Sequence, residues 1–151
     1  MDDNLRELYQ EIILDHSRHP RHFGALPAAS HVAEGHNPLC GDRVKVYLRV
    51  DESGRIDDVS FEGRGCAISV ASASLMTDML KGRRIEEAET LMGGFLDLVK
   101  GEGANSLEDE DRERLEVMAG VSAFPMRVKC ATLPWHAMKA ALDNQNAANT
   151  E

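Results

Sequence analysis

Residues 43–51 alternate strictly between apolar and polar side chains, and no other stretch of the chain is so confined in what it can form. Val44, Val46, Leu48 and Val50 share one face, while Arg43, Lys45, Tyr47, Arg49 and Asp51 share the other. A period of two is the signature of a half-buried strand. Asp51-Glu52-Ser53-Gly54 supplies a turn, and Ile56 to Glu62 reads as the antiparallel return strand with Val59 and Phe61 inward. Gly63-Arg64-Gly65 ends it. A hairpin of this kind brings the start of its first strand beside the end of its second. Residues 40–42 and residue 66 therefore become neighbours in space, although they are far apart in the chain.

The rest of the chain is mostly helical. Residues 3–18 carry Leu5, Leu8, Tyr9, Ile12 and Ile13 at three- and four-residue spacing, which predicts an amphipathic helix. From His16 to Pro38 the chain holds three prolines and two glycines and reads as loop, with one short strand near His31–Glu34. Helices are expected from Ala67 to Lys81, with Gly82 as a stop, and over residues 85–99, where Gly93-Gly94 weakens the pattern. Residues 101–111 read as polar, acidic and exposed, and residues 112–119 as a short helix. A last helix is expected from about Thr132 to Asn144. Pro134 is placed in its first turn and Thr132 as a candidate N-cap. The tail at 145–151 is expected to be frayed or disordered. A helix, a small antiparallel sheet and then a group of helices make an α+β fold, and 151 residues fit a single domain, 1–151.

Composition excludes several function classes. The formal net charge is −9, which disfavours a nucleic-acid partner, because phosphate binding needs clustered Lys and Arg. No apolar run approaches the ~20 residues of a membrane helix, so no membrane partner is expected. Met1-Asp2-Asp3-Asn4 lacks the basic and apolar regions of a secretory leader. A cytoplasmic location is expected, where thiols stay reduced. The odd count of three cysteines argues against a closed disulfide framework.

The chemistry lies in where those cysteines sit. Each lies at an expected element boundary: Asn37-Pro38-Leu39-Cys40-Gly41-Asp42, Gly63-Arg64-Gly65-Cys66-Ala67 and Arg127-Val128-Lys129-Cys130-Ala131. Gly41 lets the backbone bend so that Cys40 and Asp42 turn toward one point. Cys66 opens a helix, and Cys130 is expected to precede one. Unpaired N–H groups and the helix dipole favour thiolate at such positions. Arg43, Arg64, Arg127 and Lys129 add positive charge around the three segments. Three thiolates and a carboxylate suit tetrahedral Zn²⁺ or an iron–sulfur cluster. The carboxylate is the harder, more exchangeable ligand, so the set can open. Against this stands the ordinary reading of free cysteines as small buried hydrophobes. His16, His19 and His22 recur at three-residue spacing but read as exposed loop histidines. His136 reads as a packing residue, and the acidic run at 108–113 as a solvated face.

At these residues the chain resembles the U-type (IscU- and NifU-N-terminal-like) iron–sulfur cluster assembly family. The three cysteine blocks carry the resemblance, together with Gly65-Cys66-Ala67-Ile68-Ser69, Phe124-Pro125-Met126-Arg127 and the N-terminal Leu8-Tyr9-Gln10-Glu11-Ile12-Ile13-Leu14-Asp15-His16. The match runs from about Leu5 to Leu142. Lys129 stands where the scaffold branch of the family carries His, and residues 83–124 hold extra helical material. Both features are similar to the SufU branch.

The resemblance implies a SufU/IscU-like fold and Zn²⁺ held by Cys40, Asp42, Cys66 and Cys130. It implies a SufS-type cysteine desulfurase as partner, with Cys40 as the sulfur acceptor and Arg127 and Lys129 facing that partner, and iron–sulfur assembly proteins downstream. Such a chain is a sulfurtransferase-like carrier acting with the desulfurase rather than an enzyme with its own turnover. The alternatives are a scaffold that builds a [2Fe-2S] cluster, with iron in the same ligand set, and a structural zinc module serving only for interaction.

Overall fold

The computed structural model describes residues 3–103, 106–145 and 147–149. The chain runs α1 (Asp3–Arg18), β1 (His31–Asn37), β2 (Asp42–Val50), β3 (Ile56–Arg64), α2 (Ala67–Leu80), α3 (Ile85–Val99), α4 (Asp109–Leu115), a 3-10 helix (Glu116–Ala123), α5 (Pro125–Leu142) and β4 (Ala147–Asn149). This is the expected α+β arrangement.

The hairpin forms as its pattern requires. β2 and β3 pair antiparallel, with Arg43 opposite Arg64, Val46 opposite Phe61 and Leu48 opposite Val59. Val44, Val46, Leu48, Val59 and Phe61 all enter the core. Tyr47 lies on the other face and is nonetheless buried, its hydroxyl donating to Glu62. The short strand expected at 31–34 is longer, reaching Asn37, and pairs antiparallel with β2 in a register that sets Gly35 opposite Val44 and Asn37 opposite Asp42. β4 then adds to β1 in parallel, so the sheet is mixed, in the order β3-β2-β1-β4. This corrects two expectations: the sheet is not purely antiparallel, and residues 147–149 of the tail are paired rather than frayed. Residues 146, 150 and 151 lie outside the described residues.

α2 and α5 cover the sheet's inner face. α2 carries a run of small side chains, Ala71 to Ser74, followed by Leu75 and Met76, and is buried along most of its length. Its stop is the expected one: Gly82 takes a positive φ of 88°, which a residue with a Cβ rarely adopts. α3 matches its expected bounds. Its two glycines have opposite surroundings. A Cβ on Gly93 would meet open space, whereas a Cβ on Gly94 would lie 2.3–2.7 Å from three side-chain carbons of buried Leu107.

Three further expectations fail, each because a distant partner overrides a local rule. α5 starts at Pro125, not near Thr132, so Pro134 is inside the helix. Proline there removes a helical N–H and crowds the preceding turn. The disturbed turn is met from outside by buried Ser72 of α2, which donates to the Ala131 carbonyl at 2.6 Å and accepts from the Trp135 indole N–H at 3.2 Å. Thr132 is no N-cap; its hydroxyl reaches back to the Lys129 carbonyl at 3.4 Å. The second failure is partial: the stretch read as exposed and solvated is exposed at most of its described positions, and two residues turn inward. Leu107 and Asp111 are buried, and the Asp111 carboxylate takes both terminal nitrogens of Arg83, at 2.7 and 3.0 Å.

The third is His16, which is not an exposed loop residue. It sits 8% exposed in the last turn of α1, with Nδ1 2.7 Å from Ser74 Oγ. Burial pushes its imidazole below the ordinary 6.5, and Arg21 pushes the same way. His22 is also engaged: its carbonyl accepts from Phe61 N–H, and its ring lies 3.7 Å from Asp78.

Two measurements check this packing. Gly93→Ala should stabilise the protein by roughly 1 kcal/mol through helix propensity, whereas Gly94→Ala should destabilise it by about 1–3 kcal/mol by overpacking Leu107; urea titration of the two variants reads both. His16 contributes stability fully above pH 6.5, its unfolded value. The unfolded chain takes up that proton first, so the contribution is lost as pH falls through the lower folded value. The urea midpoint should therefore drop more steeply below pH 6.5 for the parent protein than for His16→Gln at equal metal content. Parallel curves would exclude His16 as a source.

Candidate metal and sulfur site

Three segments meet at one end of the sheet. The first is the turn between β1 and β2. Its residues 38–41 are folded back by Asn37, whose carbonyl accepts from Cys40 N–H at 3.2 Å and Gly41 N–H at 2.8 Å. Asn37 Oδ1 accepts from Leu39 N–H at 3.2 Å, an Asx-type turn. Gly41 supplies the positive φ of 75° that closes the bend. Cys40 rides on this turn and is exposed, while Asp42 opens β2 and is buried, 1% exposed.

The second segment is the β3–α2 junction. Cys66 caps α2, its Sγ accepting from Ser69 N–H at 3.5 Å. Its own N–H donates to Asp42 Oδ1 at 2.9 Å, and its Sγ lies 3.7 Å from Asp42 Oδ2. Gly65 makes this approach possible: a Cβ there would sit 2.5 Å from Asp42 Oδ1 and 2.8 Å from its carboxyl carbon. The neighbourhood of Cys40–Asp42 and Cys66 expected from the hairpin is present.

The third segment is the second turn of α5, which carries Cys130. The expectation that Cys130 precedes a helix, with a dipole-stabilised thiolate, is corrected here. Cys130 is buried within the helix, and burial pushes its thiol upward, reinforced by the neighbouring Asp42, Cys40 and Cys66. The signal missed in the sequence was Pro125, since proline is favoured at the first helical position. Cys130 Sγ lies 3.6 Å from Cys40 Sγ.

Among the described residues, Cys40 Sγ, a carboxylate oxygen of Asp42 and Cys130 Sγ form one mutual group within 4.8 Å, and Cys66 joins it through Asp42. Cys66 Sγ itself falls outside that mutual group, so the first three residues are drawn together and Cys66 meets them on the Asp42 side. Tetrahedral bonds of about 2.3 Å to sulfur set S···S edges of about 3.8 Å, and S···O edges are about 3.5 Å. The Cys40–Cys130 and Cys66–Asp42 separations of 3.6 and 3.7 Å match these edges. No metal-type group among the described residues includes His16, His19, His22 or His136.

The cations expected near the site are present but unequally placed. Arg43 and Arg64 face each other across β2–β3 and are exposed. Arg127 is exposed on the first turn of α5, its guanidinium 5.0 Å from the Phe124 ring, and Lys129 is half-buried. Leu39, Phe124 and Met126 are exposed large apolar side chains on the Cys40 turn and at the start of α5.

Residues 8–150 match the family model described as NifU-like N terminal domain. The chain is 40% identical to the zinc-dependent sulfurtransferase SufU of Bacillus subtilis over 146 residues, covering 97% of each chain. It is 41% identical to the iron–sulfur cluster assembly scaffold protein IscU of Streptococcus pyogenes, covering 97% of this chain and 89% of that one. A crystal structure from Fervidobacterium islandicum, described as a putative iron–sulfur cluster assembly scaffold protein for the SUF system, superposes with a TM-score of 0.81 at 35% identity, over 91% of this chain and 98% of that one. With the family model matched over residues 8–150 and relatives about 40% identical across nearly the whole chain, the chain belongs to the NifU-like N-terminal domain family.

Proposed function

We propose that this protein serves iron–sulfur cluster assembly as a zinc-dependent sulfur acceptor that works with a cysteine desulfurase of the SufS type. The carrying observation is the asymmetry of the cluster: an exposed cysteine on a turn lies 3.6 Å from a buried cysteine on a helix, beside a buried carboxylate. Cys40, Asp42, Cys66 and Cys130 would hold Zn²⁺, which when bound keeps the thiols deprotonated. The similarity to the zinc-dependent sulfurtransferase supports this ion.

Cys40 is the acceptor in this reading. Cys130 is buried, and Cys66 is tied down as the cap of α2 and by Asp42. Cys40 and Cys66 are both exposed, and of the two Cys40 is the one that rides on a short glycine-hinged turn rather than capping a helix. Its thiolate attacks the outer sulfur of the partner's cysteine persulfide. A new S–S bond forms on Cys40, the partner's S–S bond breaks, and the partner's cysteine leaves as thiolate, so no external oxidant or reductant is needed. Arg127 and Lys129 supply positive charge toward the partner and its anionic persulfide. The protein is a carrier without turnover of its own, a single cytoplasmic domain that passes sulfur to later assembly proteins. Residues within about 83–124 form the insertion that marks its branch.

A second reading, a scaffold for a [2Fe-2S] cluster on the same ligands, draws support from the 41% identity to a scaffold protein. A closed structural zinc site is disfavoured by Asp42, since such sites use Cys and His.

Protein purified without oxygen should be colourless and carry one zinc per chain; brown protein with iron and sulfide would favour the scaffold. Cys40→Ala should abolish both stimulation of the desulfurase and uptake of ³⁵S from labelled cysteine. Retention of both would overturn the assignment of Cys40. Gly65→Ala should displace the Asp42 carboxylate and lower zinc affinity by roughly tenfold or more, measured by competition with a chromophoric chelator.

A further inference from the structure

Among the described residues, two buried side-chain polar atoms lack a hydrogen-bond partner: Asn37 Nδ2 and Ser60 Oγ. The first lies at the site. Asn37 is fully buried, and an amide N–H₂ left unpaired there costs the protein its desolvation. Its orientation is determined. Oδ1 accepts the Leu39 N–H, so the reverse assignment would set the amide N–H₂ against another donor.

The direction of the side chain follows from strand geometry. Ala33, Gly35 and Asn37 share one face of β1. That face meets α5, because a Cβ at Gly35 would lie 3.0 Å from Leu133 and 3.2 Å from Ala137. Two residues on, Asn37 stands opposite Asp42. Directly opposed residues place their Cβ atoms about 4.5–5.5 Å apart on one face. Asp42 belongs to the mutual group with Cys130, which lies one helical turn before Leu133. The unpaired donor therefore belongs to the same corner as the two buried members of the cluster, Asp42 and Cys130.

We propose that the Asn37 amide donates a hydrogen bond to a sulfur of the Cys40–Cys66–Cys130 set once the site is loaded, making Asn37 a positioning residue for the metal ligands. The proposal rests on the zinc reading above. Free thiols are weak acceptors, whereas metal-bound thiolates carry the charge that attracts an N–H donor. Outer hydrogen bonds of this type fix ligand orientation and tune the metal. The same residue closes the Cys40 turn through its backbone carbonyl and Oδ1, so one side chain would link the turn that moves to the sulfurs that stay.

The test uses the intact ¹⁵N-labelled protein. On addition of one equivalent of Zn²⁺, one Asn37 side-chain proton should move downfield and become slow to exchange; the Asn37→Asp variant, which keeps the Oδ acceptor for the turn, identifies the resonance by its loss. In Co²⁺-loaded protein, Asn37→Asp and Asn37→Ser should both shift the sulfur-to-cobalt charge-transfer band to longer wavelength and lower metal affinity tenfold or more. Stoichiometric zinc binding with an unmoved Asn37 amide would overturn this inference and leave the zinc reading standing. Failure to bind zinc would overturn both. If the Asn37→Asp variant does not fold, triple-resonance assignment of ¹³C,¹⁵N-labelled wild-type protein identifies the Asn37 amide and the zinc titration still decides the matter.

Discussion

The buried carboxylate of Asp42 is the point on which the rest of the site turns. A carboxylate removed from water must be compensated by hydrogen bonds or charge. Here the backbone N–H of Cys66 supplies one bond, at 2.9 Å, and Gly65 leaves the room for it. This contact joins the first residue of β2 to the residue that caps α2. It thereby fixes where the hairpin ends, where the helix begins and how close Cys66 comes to the turn bearing Cys40. The strand register supports the same closure from the other side, with Asn37 across from Asp42.

Much of this was legible in the sequence because it depends on local period and on simple topology. The alternation from Val44 to Val50 defines the strand, and hairpin pairing alone brings Cys40–Asp42 next to Cys66. Cys66 as the cap of α2 and Gly82 as its stop follow from capping chemistry at single positions. The bounds of α3 follow from helical spacing. The resemblance carried by the three cysteine blocks then named the family that the comparisons found.

What sequence reading missed depends on partners far along the chain. Pro134 lies inside α5 all the same, and Ser72, 59 residues from the Ala131 carbonyl to which it donates, fastens the turn that the proline disturbs. The burial of Cys130, and the upward push on its thiol, follow from that longer helix. Asp111 reads as solvated until Arg83 is found against it, and His16 reads as exposed until Ser74 is seen beside it. β4 has three residues, too few to show a period, and exists because β1 offers an open edge. Asn37 could have been singled out from its position before proline in a turn, but its buried, unpaired amide is visible only in three dimensions.

The Ser72 bridge has a mechanical consequence for the cluster. It fastens α2 to α5 in mid-helix, and the stacking of Trp135 on Phe95, with ring centroids 4.8 Å apart, extends the fastening to α3. Cys66 and Cys130 are thus carried on one stiff frame. Cys40 hangs from a four-residue turn secured at Asn37 and hinged at Gly41. The cluster behaves as a clasp with a fixed plate and one sprung tongue. Bending that turn alone would move Cys40 without disturbing the sheet or the helices behind it.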